Sequence, residues 1–135
     1  MRKFLIATHG SFAAGIKSSL EIIIGKTENI FLIQAYTEEN KSIREELEEI
    51  LKSVDDLDEL IVFTDLAGGS ITNQVLEFAL RQKVYVIAGL NLPLLLDIIL
   101  ADPDSPADEV IETGISNARD QIVFINKLLS TPTDI

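Results

Sequence analysis

The chain has 135 residues, 47% of them hydrophobic and 24% charged, with a formal net charge of -11. That is the size of one ordinary domain with enough apolar residues for a buried core, which excludes a disordered or fibrous protein. The acidic balance argues against nucleic acid or an anionic membrane as partner, because both are bound through Lys and Arg on phosphates.

With no cysteine and one histidine, disulfides, thiol catalysis and a multi-histidine metal cluster within one chain drop out, so no metal site is expected. No apolar run reaches the roughly 18 to 20 residues that span a bilayer, and the start lacks a signal peptide's long apolar stretch. A cytoplasmic location is therefore expected.

Lys3 to Thr8 is a short apolar run ending at Gly-Ser, the composition of a parallel strand covered by helices on both faces. Ser11 to Ile24 places Phe12, Ile16, Leu20 and Ile23 or Ile24 at helical intervals, and Gly25 follows as a helix stop. Ile30 to Tyr36 is β-branched and aromatic and reads as a second strand. Ser42 to Val54 puts Ile43, Leu47, Ile50, Leu51 and Val54 on one helix face. The acids between Glu38 and Glu59 outnumber Lys41, Arg44 and Lys52 and form a solvated face.

Leu60 to Thr64 is a third buried strand, broken by Asp65-Leu66-Ala67-Gly68-Gly69-Ser70 before a helix from Ile71 to about Arg81. Val84 to Ala88 is a fourth strand. Gly89 to Pro93 then leads into a helix from Leu94 to Ala101, with Pro93 suited to its first turn. After the turn at Asp102 to Pro106, a further helix is expected from Ala107 to about Ala118. Ile122 to Ile125 reads equally as strand or helix, since so short a run has no decisive period.

Four βα units in series predict one α/β domain over residues 1–135, a mostly parallel sheet between helical layers. Ligands of such sheets gather at the carboxyl ends of the strands. That rule collects Thr8-His9-Gly10-Ser11, Asp65 to Ser70 and Gly89 to Pro93. His9, with Gly10 and Ser11 opening a helix, would offer an exposed ring nitrogen beside backbone N–H groups. Asp65 could hold one ring nitrogen and leave the other free, although Asp before glycines is also a common cap or turn residue. Gly68, Gly69 and Ser70 offer amides and a hydroxyl to phosphate oxygens. The spacing matches neither a nucleotide P-loop nor a dinucleotide fingerprint.

Taken in order, Thr8-His9-Gly10, Phe63-Thr64-Asp65 with Gly68-Gly69-Ser70, Ala88 to Pro93 and Glu112-Thr113-Gly114 resemble one family. It is the enzyme IIA domain of the mannose, fructose and sorbose family of the bacterial phosphoenolpyruvate-dependent sugar phosphotransferase system, and the likeness runs from about residue 3 to residue 114. Ile71 stands where the family usually has proline, and Leu66-Ala67 where larger residues are common.

The resemblance implies a phosphotransferase component without nucleotide, cofactor or bound metal. His9 would be the phosphorylated residue, Asp65 its hydrogen-bonded partner and Ser70 a contact to the phosphoryl group. HPr would be the donor and a histidine of a separate IIB protein the acceptor. Sugar would be phosphorylated later, at the IIC/IID membrane complex to which this chain would be peripheral. The resemblance also implies a homodimer in which Gln121 to Leu128 adds a fifth, antiparallel strand to the partner's sheet edge, protecting that edge. A phosphocarrier subunit of a dihydroxyacetone kinase and a stand-alone phosphorylation-dependent regulator are the alternatives.

Overall fold

A computed structural model describes residues 1–37, 42–79 and 83–130. The chain runs β1 (Arg2–His9), α1 (Phe12–Ile24), β2 (Ile30–Ala35), α2 (Ile43–Lys52), β3 (Glu59–Thr64), α3 (Ser70–Ala79), β4 (Val84–Ala88), α4 (Leu92–Ile99), α5 (Ala107–Asp120) and α6 (Ile125–Ser130). The expected helix end at Arg81 lies outside the described residues.

The four strands are parallel in the order β2-β1-β3-β4. Helices cover both faces because alternate strand residues are apolar in opposite directions. Phe4, Ile6, Ile61, Phe63 and Ile87 share one core with Ala13, Ile16 and Leu20 of α1, Leu94, Leu95 and Ile98 of α4, and Ala118 of α5. Leu5, Ala7, Ile33, Leu60 and Val62 share the other with Ile43 and Leu47 of α2 and Ile71, Val75 and Phe78 of α3.

Local chemistry sets the helix ends. The Ser42 hydroxyl accepts the Glu45 N–H, and the Asn91 side chain accepts the Leu94 N–H at 2.9 Å with proline in the first turn of α4. α5 lies close on α4 because Gly114 has no side chain. A Cβ there would stand 2.8 Å from Ile98 Cγ1.

At the amino ends of the strands, buried Arg2 is fully engaged. Its guanidinium pairs with Glu59 and donates to the carbonyls of Asp102 and Ser105 at 3.3 and 2.6 Å. Asp58 binds the Met1 ammonium at 2.9 Å and Lys3 Nζ at 3.0 Å. Those charges, with the Asp55 N–H, hold its carboxyl well below the usual range.

The C-terminal segment corrects one expectation. The described sheet has four parallel strands and no antiparallel fifth. Ile122 to Phe124 carry no regular structure, and Ile125–Ser130 is a helix rather than strand. Within a single chain this run has no ladder partner, so its backbone bonds locally, as in Leu128 N–H to Phe124 O at 3.1 Å. Its side chains remain exposed, Phe124 at 71% and Leu129 at 81%.

Candidate functional site

The register of the central pair places the site. β1 and β3 are adjacent, with Ala7 beside Thr64, so the residues leaving their carboxyl ends meet. His9 ends β1 and Asp65 follows β3. One carboxylate oxygen, Asp65 Oδ2, accepts both the His9 backbone N–H and a bond from His9 Nδ1, each at 2.8 Å. A carboxylate of this kind only accepts, so Nδ1 bears the proton and, in the neutral ring, Nε2 has a free lone pair.

Burial distinguishes the partners. The His9 side chain is 42% exposed and that of Asp65 13%. Burial works to raise the Asp65 carboxyl. The hydrogen bonds from the His9 backbone and ring, and the His9 charge, outweigh it and hold the group below the usual carboxylate range. Asp65 Oδ1 is buried with no hydrogen-bond partner among the described residues. The compensation of this carboxylate therefore comes from His9, first from its backbone N–H and then from its ring.

The turn into α1 requires Gly10. It has φ 57°, and its N–H donates to Ala35 O at 2.9 Å. That amide is therefore committed to β2 and is not free for a phosphoryl oxygen. Ser11 is exposed at the N-cap of α1 and makes no capping bond there. Thr8 caps instead, its hydroxyl accepting the Ala13 N–H at 2.8 Å.

The loop after Asp65 is closed by its own bonds. Gly69 N–H donates to Leu66 O at 3.3 Å, and Thr72 Oγ1 donates to the same carbonyl at 2.6 Å while contacting Thr64 Oγ1 at 2.7 Å. Gly69 faces the imidazole, since a Cβ there would lie 3.6 Å from His9 Cε1. Gly68 is exposed. Ser70 opens α3, and its hydroxyl meets Tyr36 Oη at 2.5 Å. The Tyr36 ring also lies 5.5 Å from that of His9, centroid to centroid.

The structure thus brings Asp65 and Gly69 to the His9 ring and Ser70 to the hydroxyl of Tyr36, whose own ring lies beside it and which the sequence motifs leave out. The loop after β4 joins them through Thr64 O, which accepts the Gly89 and Leu90 N–H groups at 3.0 and 3.1 Å. No group of three or more His, Cys, Asp and Glu side chains suited to a metal is found among the described residues. Nor is any described helix long and apolar enough to cross a membrane.

The three-layer domain on which this imidazole and carboxylate meet is similar to a phosphotransferase system component EIIA. The chain belongs to the EIIA-man family, whose sequence profile, described as the PTS system fructose IIA component, matches residues 3–114.

Among relatives, the mannose-specific EIIAB component of Escherichia coli K12 is 28% identical over 121 residues, which are 87% of this chain but 38% of that protein. The chain therefore spans well under half of that relative. The fructose-specific EIIA component of Bacillus subtilis is 29% identical over 101 residues, 73% of this chain and 69% of that one. Among solved structures, EIIA of Streptococcus agalactiae superposes with a TM-score of 0.81 at 30% identity, covering 94% of this chain and 99% of that chain.

Proposed function

We propose that this chain is a phosphocarrier of a sugar phosphotransferase system, taking a phosphoryl group from phospho-HPr on His9 and passing it to a histidine of a IIB protein. The observation that carries this reading is the single imidazole, bonded through Nδ1 to Asp65, with its ring partly exposed at the start of α3.

In the step proposed, the Nε2 lone pair of neutral His9 attacks phosphorus in line. One N–P bond forms as the donor's N–P bond breaks, and no proton is lost from Nδ1. The phosphorylated ring is then cationic at Nδ1–H, beside the Asp65 carboxylate. Passage to IIB reverses these events. Little covalent work falls to the protein, whose part is alignment and charge stabilisation.

Ser70, and the backbone at Ser11 and Gly68, are the proposed phosphoryl contacts, while Gly69, its N–H bonded to Leu66 O, leaves room beside the imidazole. The committed Gly10 amide serves the turn. The chain would act as a transferase component in the cytoplasm, peripheral to the IIC/IID complex. It would be a homodimer, each exposed tail seated on the partner's sheet edge. A groove of about 410 Å³ beside β4, lined by Val86, Ala88, Ile115 and Ile122, supports that placement.

Incubation of the pure chain with phosphoenolpyruvate, enzyme I and HPr should give acid-labile, base-stable phosphate on His9. Absence of label would overturn the reading.

A further inference from the structure

Tyr36 follows the last residue of β2 with φ 65°, a left-handed conformation that bulky residues rarely adopt and that persists only where the surroundings impose it. The residue is 62% exposed, so core burial does not account for the strain. Its contacts do. Thr37 Oγ1 donates to Gln34 O at 2.9 Å and Ala35 O accepts the Gly10 N–H at 2.9 Å, fixing the chain on either side of Tyr36 relative to β1. The ring is then tilted 38° against the imidazole of His9, and the hydroxyl lies 2.5 Å from Ser70 Oγ.

Resting on the phosphocarrier reading, we propose that Tyr36 is a positioning residue that orients Ser70 for the phosphoryl group while its ring holds the His9 plane. A phenol is the better donor of the two hydroxyls. If Tyr36 donates to Ser70 Oγ, the serine proton is left for an oxygen of the phosphoryl group on Nε2. A hydroxyl that already accepts a bond also donates a stronger one. The serine is thus aimed before the phosphoryl group arrives, which is where positioning contributes to rate.

The test uses the full chain with Y36F, Y36L, S70A and the double variant Y36F/S70A. Y36F should lower kcat for transfer from phospho-HPr by about 3- to 10-fold with KM unchanged, because the serine is no longer aimed. S70A should lose at least as much, and the double variant should be no slower than S70A, the signature of one residue acting through the other. In unphosphorylated protein the lone imidazole gives an unambiguous proton NMR signal. It should move in Y36L, which lacks the ring, and stay in Y36F.

A wild-type kcat in Y36F, additive losses in the double variant, or an unmoved imidazole signal in Y36L would each overturn the proposal. Failure of wild type to accept label is a different result. It overturns the phosphocarrier reading itself, while the imidazole signal still reports the ring contact.

Discussion

His9 and the tail from Ile122 to Leu129 are both exposed features of this fold, and their determination is opposite. The backbone N–H of His9, its Nδ1 and the N–H of the next residue all have partners within the chain, on β2 and after β3. The tail has one short helix with no buried residue. Geometry is fixed by the chain's own contacts where chemistry needs it. The tail's apolar area instead leaves free energy to be gained by a second surface, at about 25 cal/mol per Å² removed from water.

The contrast breaks most completely at His9. His9→Ala should fold as wild type yet take no phosphoryl group, since no second imidazole exists; retained label of histidine-type stability would contradict it. Asp65→Asn keeps the shape but loses charge and tautomer control, and transfer should slow by roughly 10² to 10⁴-fold. Its stability should also respond to pH. The Asp65 carboxyl is held low in the folded protein, so its contribution is present above the unfolded carboxylate value and is lost as pH falls through the native one. Urea midpoints of wild type and Asp65→Asn should therefore differ at neutral pH and converge in acid.

The other side of the comparison is tested by Val123→Asp with Phe124→Asp. Light scattering should show dimers of wild type and monomers of the variant at micromolar concentration, with the dimer weakened by about 10²-fold or more, as expected when charges enter an apolar contact. Wild type that is already monomeric would remove the idea. The smallest effect belongs to Gly114→Ala, which touches neither region. The added Cβ crowds Ile98 and costs about 1 to 3 kcal/mol, offset by up to about 1 kcal/mol of helix propensity. Denaturant unfolding should show a modest net loss, with phosphotransfer unchanged.

The strands were legible because a parallel strand covered on both faces is apolar throughout, as Leu60 to Phe63 are. His9 and Asp65 could be paired because strand-end residues of neighbouring strands converge, and only one imidazole was available. Tyr36 carried no comparable signal. Its importance lies in a positive φ and in a hydroxyl that reaches Ser70 across 34 positions of sequence. The Gly10 N–H finds its acceptor, Ala35 O, on another strand, which the local sequence does not show. Ile122 to Ile125 read equally as strand or helix, and a helix begins at Ile125. A β-branched run is strand only where it pairs with an edge, and within the described chain this run pairs with neither β2 nor β4.

The place of β1 and β3 in the middle of the sheet has a consequence for breathing motions. Edge strands and terminal helices open in small, cheap fluctuations, whereas amides between two paired strands exchange with solvent only when most of the fold opens. The His9 amide, held by Asp65 at the end of the central strand β1, should exchange slowly with it. Binding and release at β4 can then proceed many times while His9 keeps its alignment on Asp65.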